Sequence, residues 1–341
     1  MRVLITGGCG FIGTNLSEEL ARSGHEIVIF DNLSRPQTGY NLEWLRSNHE
    51  LMFIQADVRD YPSVREAMDR VDLVFHLAAQ VAVTTSIMTP REDFEINALG
   101  TLNILEAMRE IDFPPILVYA STNKVYGALE SLNLVEENNR YGCPDMPMGV
   151  PESFPLDFHS PYGCSKGTAD QYVHDYSRIY GLRTVVLRQS CIYGPHQFGV
   201  EDQGWLAHFI ISAEANRPIT IYGNGKQVRD LLHVSDLITL YSLVLENIDH
   251  VSGEVFNVGG GPANTISIWQ EIGPVLEDLT GHRVIVSYSK WRPGDQPWFV
   301  ADIRKAREKL NWTPKVSVNE GIRDVYRWVK DNWSVFANNN V

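Results

Sequence analysis

A tyrosine and a lysine near the middle of the chain have the types and the spacing that proton transfer requires. Tyr162 and Lys166 are four residues apart, so they share one face of a helix that Ser160 is predicted to cap. A tyrosine that exchanges protons near neutral pH needs its pKa lowered from about 10, and a nearby ammonium group lowers it. Because this spacing also arises in helices by chance, a third group is needed to indicate a site.

Thr122 supplies that third group. It follows the apolar run Ile116–Tyr119, which is predicted to be the fifth strand of a sheet. Ligands of parallel α/β sheets bind at the carboxyl ends of the strands. We therefore expect the Thr122 hydroxyl to bridge a substrate oxygen and Tyr162, which makes Thr122, Tyr162 and Lys166 the predicted catalytic residues.

Glycines at the start of the chain predict a phosphate-binding loop. Gly7 and Gly10 allow a tight turn close to a pyrophosphate, and Gly13 lets the following helix pack closely on the first strand. The first turn of that helix, with Phe11 and Ile12, supplies N–H groups at its positive end. Because the loop stands between a strand and a helix, it predicts a dinucleotide site.

The residue at the end of the second strand selects the dinucleotide. Asp31, which comes 18 residues after Gly13, can accept hydrogen bonds from both adenosine ribose hydroxyls and repels a 2′-phosphate, so NAD is favoured over NADP. Arg35 favours NADP instead, because an arginine could hold the 2′-phosphate. Asp31 could also be an ordinary turn residue. Further predicted cofactor contacts are Asn32, Ser34, Asp57, Val58, Leu77, Ala78, Ala79, Gln80 and Asn97, together with Tyr162 and Lys166.

The elements that must position these residues form a regular alternation of short apolar runs and helix-length segments. The runs are continuous and β-branched, as expected of strands buried on both faces of a parallel sheet. Helices are predicted between them, for example at Phe11–Ser23 and Phe94–Glu110. The pattern predicts an α/β fold with a Rossmann-type, doubly wound parallel sheet. The predicted strands are Val3–Ile5, Ile27–Phe30, Met52–Ile54, Leu73–Phe75, Ile116–Tyr119 and Val185–Leu187.

The pattern becomes irregular after about Arg188, where glycine and proline are frequent, and this part is predicted to be a smaller mixed α/β C-terminal substrate lobe. We expect 1–187, with roughly 231–257, to form the NAD-binding domain. We expect 188–230 and 258–341 to form the nucleotide-sugar-binding domain. The connection 128–158 is too long for a turn, which predicts a functional or mobile segment.

Charge and composition exclude several classes of partner. Lys and Arg number 29 against 42 Asp and Glu, and the net charge of −13 disfavours nucleic acid and anionic membranes. No apolar run reaches the length of about 18 residues that a membrane span needs, and the strand pattern at Val3 leaves no room for a signal peptide. Neither the four cysteines nor the histidines have metal-ligand spacing, so no metal and a cytoplasmic location are expected.

Six motifs in this order resemble the extended short-chain dehydrogenase/reductase family, specifically its nucleotide-sugar-modifying members. The resemblance covers nearly the whole chain. It implies NAD as cofactor, a nucleotide-diphosphate sugar as substrate, a homodimer or homotetramer, and a role in polysaccharide biosynthesis. The motifs are the glycine loop, Asp31, Ser121–Gly127, Tyr162 with Lys166, Gly223–Asp230 and Arg292–Asp295.

Asn123 and Lys124 help to separate the reactions of this family. Its 4,6-dehydratases carry Asp-Glu at these positions, since elimination of water needs an additional acid and base, so dehydration is disfavoured. A lysine is also unusual among the family's 4-epimerases. Four stretches resemble a subgroup of 2-epimerases that act on CDP-paratose and CDP-tyvelose: Phe30–Arg35, Thr122–Lys124, Leu156–Ser160 and Asp202–Trp205.

The resemblance therefore implies inversion of carbon 2 of one of these CDP sugars, or of a related nucleotide-diphosphate hexose, through a transient 2-keto sugar. The alternatives are a 4-epimerase or net dehydrogenase of the same family, and a non-catalytic NAD-binding scaffold. The chain departs from the 2-epimerase subgroup at Gln189–Cys191 and at Pro195 and His196.

Polar residues of these motifs are the predicted substrate contacts. Arg229 and Arg292 are candidates for the diphosphate, because guanidinium groups match phosphate geometry, with a solvent-facing ion pair as the alternative. Lys124 could stabilise the keto oxygen, hold the diphosphate or pair within its loop. His76 is predicted to be a hydrogen-bonded core residue. The full predicted set is Thr84, Ser86, Asn123, Lys124, Gln189, Ser190, Gln203, Arg229 and Arg292.

Overall fold

The computed structural model describes residues 1–292 and 294–338. Pro293, which belongs to the predicted motif at 292–295, and residues 339–341 lie outside the described residues. The chain divides into two compact units. The first unit comprises Met1–Val125, Phe158–Arg188 and Ile238–Phe256, and the second comprises Tyr126–Asp157, Gln189–Leu237 and the described residues from Asn257 onward.

The strands of the described residues are short and number fifteen. In chain order they are β1 (Arg2–Thr6), β2 (Glu26–Asp31), β3 (Met52–Gln55), β4 (Leu73–His76), β5 (Ile116–Thr122), β6 (Val135–Glu136), β7 (Tyr141–Gly142), β8 (Thr184–Gln189), β9 (Cys191–Tyr193), β10 (Ile219–Tyr222), β11 (Val228–His233), β12 (Val255–Val258), β13 (Thr265–Ser267), β14 (Val286–Ser289) and β15 (Trp298–Phe299).

The helices vary more in length. In chain order they are α1 (Phe11–Arg22), α2 (Thr38–Asn48), α3 (Tyr61–Ala67), α4 (Val83–Met88), α5 (Pro90–Phe94), α6 (Gly100–Arg109), α7 (Ser160–Tyr180), α8 (Trp205–Glu214), α9 (Val234–Glu246), α10 (Ile248–Val251), α11 (Ile272–Thr280), α12 (Arg304–Leu310), α13 (Val318–Asp331) and α14 (Trp333–Asn338). A π-helical turn occupies Glu95–Leu99, and 3₁₀ turns occupy Asn123–Tyr126 and Pro262–Asn264.

A seven-stranded sheet with the order β12-β8-β5-β4-β1-β2-β3 confirms the predicted α/β class. Its strands β1 to β5 pair in parallel. The strand order reverses at β1, so the carboxyl ends of β1 and β4 flank the switch point at which such sheets bind ligands. Each predicted strand lies within or at the position of an observed one, and β5 continues as far as Thr122.

Burial on both faces explains why the strands of this sheet are apolar throughout. Val3 and Ile5 on one face of β1, and Leu4 on the other, are fully buried. Leu4 belongs to the same core cluster as Ile104 of α6 and Val173 of α7. Helices therefore cover the sheet, which fixes the register of the strands that end at the predicted site.

The helix predicted at Phe94–Glu110 is interrupted. α5 ends at Phe94, the π-helical turn follows, and α6 begins at Gly100. A Cβ at Gly100 would lie 2.7 Å from Cγ2 of Val58, so the glycine allows the helix to approach the segment after β3. π-Helical turns inside helices are frequent at functional sites, and this one carries Asn97.

The second unit has its own sheets and its own core. β11 pairs in parallel with β9 and β15 and antiparallel with β13, and β10 pairs with β14. Its core cluster includes Ile210, Leu231, Ile272 and Val325.

The long connection 128–158 belongs almost entirely to the second unit, whereas the predicted division placed it with the first. It contains the β6–β7 hairpin. Val150 exchanges backbone hydrogen bonds with Val300 and Asp302, and the Glu152 carboxylate accepts from the Asn257 N–H at 2.7 Å. These bonds to distant parts of the chain explain the difference. The unit boundary near β11 also differs, because all of β11 lies in the second unit.

Within the described ranges, no helix is both long enough and apolar enough to cross a membrane.

Candidate active site

The start of α7 is held by side chains around Tyr162. The Ser160 Oγ accepts a hydrogen bond from the Gly163 N–H at 3.2 Å, as expected of the predicted cap. The Ser86 Oγ of α4 accepts from the Tyr162 N–H at 3.1 Å and donates to the Val83 carbonyl. Two of the unpaired N–H groups at the helix start are thereby satisfied. Ser86, a predicted substrate contact, thus uses its hydroxyl within the protein.

The structure brings Tyr162 and Thr122 together. The buried phenol of Tyr162 forms a side-chain hydrogen bond with Thr122, and the Thr122 Oγ1 also accepts from the Lys124 N–H at 3.2 Å. Burial raises the pKa of Tyr162 to about 12, although the Thr122 hydrogen bond acts in the opposite direction. This result differs from the expected lowering of the pKa, because burial outweighs every other influence on the phenol. A cation close to the phenol oxygen would lower the pKa.

Lys166 is buried one turn further along α7. Its Nζ donates to the Ala120 carbonyl at 2.6 Å and lies 4.2 Å from the centre of the Tyr119 ring. Burial lowers the pKa of Lys166 to about 7, while Asp170 and Asp93 raise it. The lysine charge is therefore maintained by buried carboxylates within the first unit.

A buried ion pair lies next to this lysine. The Asp170 carboxylate receives the Arg188 Nε at 3.0 Å and the Arg188 Nη2 at 2.9 Å. It also accepts from the Ser121 Oγ at 2.7 Å. This network ties α7 to the end of β5, and so it fixes the strand residue that precedes Thr122.

The glycine loop has the geometry of a phosphate cradle. A Cβ at Gly7, whose φ is +68°, would lie 2.7 Å from the Ala78 nitrogen, and a Cβ at Gly13 would lie 2.5 Å from the Gly7 carbonyl oxygen. α1 begins at Phe11 after Gly10 without a side-chain cap. The first N–H groups of the helix can therefore bind an anion.

Asp31 stands beside this cradle. Its Oδ2 accepts from the Cys9 N–H at 3.0 Å and its Oδ1 accepts from the Leu33 N–H at 2.8 Å. Burial raises the pKa of Asp31, and these two hydrogen bonds partly offset the effect. The glycine cradle, the uncapped helix and the carboxylate together fit a dinucleotide, with the pyrophosphate on α1 and a ribose on Asp31.

Asp57 and Asn32 form a small cluster near the ends of β2 and β3. Arg59 makes two hydrogen bonds to the Asp57 carboxylate, at 2.9 and 2.8 Å, and Asn32 donates to it at 2.9 Å. The Arg59 hydrogen bond is the main reason that the pKa of Asp57 is lowered to about 2. The predicted contacts Ser34 and Arg35 are exposed.

The segment after β4 is held by Asn97. Gln80 and Asn97 exchange two hydrogen bonds, Gln80 N–H to Oδ1 at 2.9 Å and Nδ2 to the Gln80 carbonyl at 3.1 Å. Asn97, a predicted cofactor contact, thereby positions the backbone of the predicted contacts Leu77 to Gln80. His76 hydrogen-bonds Thr6 and Thr101 through its two ring nitrogens, which confirms it as a buried core residue.

Three further predicted substrate residues belong to the first unit. The buried Thr84 Oγ1 has no hydrogen-bond partner in the part of the chain that the structure describes. The Asn123 side chain is buried, and its Oδ1 accepts from the Thr122 Oγ1 at 3.4 Å. Lys124 is half-buried.

The other predicted substrate residues lie in the second unit. Arg229 donates to the Asp295 carboxylate at 2.6 Å. The Arg292 guanidinium lies 3.9 Å from the centre of the Tyr222 ring. Ser190 donates to the buried Asp230 carboxylate, Gln189 is buried at the end of β8, and Gln203 exchanges backbone hydrogen bonds with Val200.

Arg292 has acidic neighbours of its own. It donates to the Glu201 carbonyl at 3.1 Å, and its Nη2 lies 3.4 Å from an Asp202 carboxylate oxygen. Both arginines thus have acidic partners that a diphosphate would have to replace.

Four buried residues in the surroundings of Lys166 were not identified from the sequence. Asp93, Ser165, Asp170 and Arg188 form hydrogen bonds or ion pairs there, yet none stands out in a motif except Ser165, which lies inside the Tyr162–Lys166 spacing. A charged residue such as Asp93 directly before an apolar helix pattern was the available signal. Across residues 1–292 and 294–338, no three His, Cys, Asp or Glu side chains are placed to hold a metal.

Comparison with known proteins gives consistent matches over the whole length. The model of the family described as GDP-mannose 4,6 dehydratase matches residues 4–325. A CDP-paratose 2-epimerase of Salmonella typhi is 47% identical over 335 residues, which cover 96% of this chain and 99% of that protein.

Solved structures agree with this result. The UDP-glucose 4-epimerase of Thermotoga maritima with UDP-glucose superposes with a TM-score of 0.83 at 30% identity, covering 98% of this chain and 100% of that one. The UDP-glucuronic acid 4-epimerase of Bacillus cereus, in complex with UDP-glucuronic acid and NAD, gives 0.82 at 29% identity, covering 97% and 100%.

Proposed function

Because the chain belongs to the GDP-mannose 4,6 dehydratase family, within the extended short-chain dehydrogenases/reductases, we propose that it is an NAD-dependent epimerase of a nucleotide-diphosphate hexose. The reaction is inversion at carbon 2, with CDP-paratose and CDP-tyvelose as the substrate pair. The observation that carries the choice of carbon 2 is the full-length similarity to a CDP-paratose 2-epimerase. The hydrogen-bonded Thr122 and Tyr162 support the redox chemistry.

The residues of the first unit fit the cofactor. The cradle of Gly7, Gly10 and Gly13 and the start of α1 hold the pyrophosphate, and Asp31 holds the adenosine ribose. An acid at this position disfavours a 2′-phosphate, which supports NAD over NADP.

Tyr162 removes the proton from the sugar 2-hydroxyl, and Thr122 holds the same oxygen by a hydrogen bond. NAD, held by the glycine cradle, Asp31 and Lys166, would supply a reversible hydride acceptor for carbon 2, and inversion requires the 2-keto sugar to present its opposite face before it is reduced again. Tyr162 then returns the proton, so that substrate and product are isomers. Lys166 binds the nicotinamide ribose and favours the ionised phenol.

Asn123 and Lys124 argue against elimination of water, because an amide and an ammonium replace the acid and base that this reaction needs. Arg229 and Arg292 bind the diphosphate, because their planar guanidinium groups match its oxygens. The second candidate is a 4-epimerase, which the similarity to the Thermotoga maritima enzyme supports.

The proposed reaction is tested by proton NMR of the purified protein without added cofactor. CDP-paratose and UDP-glucose are supplied separately. A changed coupling between sugar protons 1 and 2 in the CDP sugar is the expected result. Inversion at carbon 4 of either sugar would replace the proposal by the second candidate, and no reaction with either, even after NAD is added, would contradict both.

The apolar surface of the first unit supports a homo-oligomer. Ile179 and Tyr180 of α7 and Met88 of α4 are exposed, with Ile179 at 66% of its full accessible area. Tyr172, seven residues before Ile179 and therefore on the same face of α7, is also exposed, and exposed apolar residues that share a helix face are typical of an interface. Sedimentation of the wild-type protein and of Ile179→Glu tests this, since the variant should dissociate. We further propose a cytoplasmic location, in line with cysteines that form no CxxC pair. The family resemblance also leads us to propose a role in polysaccharide biosynthesis.

A further inference from the structure

Two buried carboxylates act on Lys166. Asp93 of α5 and Asp170 of α7 are both fully buried. Both raise the pKa of Lys166 against the effect of burial. A buried ammonium group needs such a counter-charge, because the loss of water otherwise favours its neutral form.

The charge of Asp170 is already balanced. Arg188 binds its carboxylate with two hydrogen bonds, and Ser121 adds a third. The Arg188 guanidinium stays charged at every accessible pH. Asp170 thus shares its charge with Arg188, although it is the larger of the two carboxylate influences on the pKa of Lys166.

Asp93 is different, because its neighbours are neutral donors. The Ser165 Oγ donates to its Oδ2 at 2.5 Å, and the Asn97 Nδ2 donates to its Oδ1 at 3.2 Å. Within the described residues Asp93 forms no ion pair at 4 Å or less. Burial raises the pKa of Asp93, and the Ser165 hydrogen bond and the charge of Lys166 act against this effect in favour of the ionised carboxylate. Lys166 is the cation that acts on it.

The contact with Ser165 places Asp93 beside the turn of α7 that carries the reactive residues. Ser165 lies between Tyr162 and Lys166 in α7, and Asn97 joins the same network by donating to the Ser165 Oγ at 3.0 Å. Asn97 also holds Gln80 after β4. One carboxylate thus connects the catalytic helix, the π-helical turn and the strand-end segment.

We propose that Asp93 is a positioning residue that fixes the orientation of α7 through Ser165 and thereby, together with Asp170, supports the charge of Lys166. This inference rests on the proposed function only for its effect on turnover. The charge relation with Lys166 is a property of the protein itself.

The negative charge of Asp93 affects two titrating groups in the same direction. It raises the pKa of Lys166 and that of Tyr162. The other titratable groups that face this lysine are Asp170, which pairs with Arg188, Tyr119 and His76. Burial raises the pKa of Tyr119 well above its usual value, and burial together with Lys166 lowers the pKa of His76 to about 3, so both are uncharged. Loss of the Asp93 charge should therefore lower the pKa of both Lys166 and Tyr162.

The test compares Asp93→Asn with Glu92→Gln, which changes the same charge at the adjacent, exposed position of α5. The full-length protein is labelled with ¹³C at the lysine Cε, and the Lys166 signal is assigned from its loss in Lys166→Arg. The chemical shift of this signal is followed against pH. The pH profile of turnover of CDP-paratose is measured in parallel.

In Asp93→Asn the Lys166 titration should move to lower pH by about one unit, and the turnover profile should move in the same direction. Glu92→Gln should move neither. An unshifted Lys166 titration in folded Asp93→Asn would overturn the proposal, even if turnover falls, because a merely structural role lowers turnover without moving the titration. Should Asp93→Asn not fold, Asp93→Ser carries the same test. Absence of turnover in the wild type would contradict the proposed function while the lysine titration still decides the role of Asp93.

Discussion

Two predicted site cations, Lys166 in the first unit and Arg292 in the second, have opposite surroundings. In the first unit, Lys166 is 4% exposed, and its neighbours are the buried acids Asp93 and Asp170. In the second unit, the Arg292 side chain is 24% exposed, and its partners Glu201 and Asp202 are about half exposed. We call Lys166, Asp93 and Asp170, together with Thr122 and Tyr162, the reactive edge. We call Arg292 with its acidic partners Glu201 and Asp202 the arginine pair.

This difference indicates different tasks. A buried charge that loses its partner is left without water or a counter-ion, so the reactive edge is costly to alter. An ion pair open to water gains little from its geometry, so the acids beside Arg292 can give way to an incoming anion. We therefore expect the reactive edge to keep a fixed arrangement through turnover and the arginine pair to exchange its acidic partners for an anion.

The strongest test of the reactive edge is Tyr162→Phe. The change removes the hydroxyl that hydrogen-bonds Thr122 and leaves the ring in its buried site. Turnover should fall by about 10³-fold, because proton transfer by a positioned side chain contributes about 10²–10⁴-fold, while KM changes little. Steady-state kinetics measures both parameters, and an unchanged melting temperature serves as the control. Full activity would contradict the acid–base role of Tyr162.

The next largest effect is expected on stability, from Arg188→Met. Its loss leaves the Asp170 carboxylate buried without its cation. The free energy of unfolding should fall by about 3–5 kcal/mol. Arg178→Met is the matched control in α7, because the Arg178–Asp175 pair is more than half exposed and should contribute less than about 1 kcal/mol. Urea denaturation compares the two variants, and equal losses would remove the distinction between buried and exposed charges.

The reactive edge could be predicted from the sequence where its residues follow local rules. Tyr162 and Lys166 share a helix face because they are one turn apart, and Thr122 reaches the sheet edge because a parallel strand ends there. Asp93 follows no such rule. Its partner Ser165 is 72 residues away, so the burial of its charge depends on the packing of α5 against α7.

The same reason accounts for the connection 128–158. Its length predicts a functional or mobile segment, but its place in the second unit depends on the hydrogen bonds that Val150 exchanges with Val300 and Asp302, far along the chain. Long-range contacts of this kind leave no periodic pattern in the sequence. The class of fold was predictable from apolar runs, whereas the assignment of this segment to a unit was not.

The arginine pair is tested by Arg292→Ala. If Arg292 exchanges its acidic partners for the diphosphate, KM should rise by about tenfold, or about 1.4 kcal/mol, and kcat should stay within about twofold. Arg323→Ala is the control in the second unit, since its side chain is 60% exposed and lies 3.9 Å from Asp278. A large fall in kcat with unchanged KM would place Arg292 with the reactive edge instead.

The smallest expected effect tests whether a charge is costly to remove because it is buried or because it belongs to the first unit. Asp57 belongs to the first unit, as Lys166 does, but its carboxylate is 25% exposed and its partner Arg59 is 36% exposed. Arg59 lowers the pKa of Asp57 to about 2, below the value of about 3.9 expected in the unfolded chain. The pair therefore stabilises the fold fully above about pH 4, and this contribution is lost as the pH falls towards 2.

Asp57→Asn should thus reduce the free energy of unfolding by less than about 1 kcal/mol at pH 7, because water screens the pair. The difference in the free energy of unfolding between Asp57→Asn and the wild type should shrink as the pH falls from 5 to 3.5, because Asp57 of the wild type then becomes protonated in the unfolded chain. Urea denaturation at pH 7, 5 and 3.5 measures it. A difference independent of pH would assign the loss to the Asn32 hydrogen bond rather than to charge. A loss as large as that of Arg188→Met would show that charges of the first unit are costly wherever they lie, and the contrast would then belong to the units and not to burial.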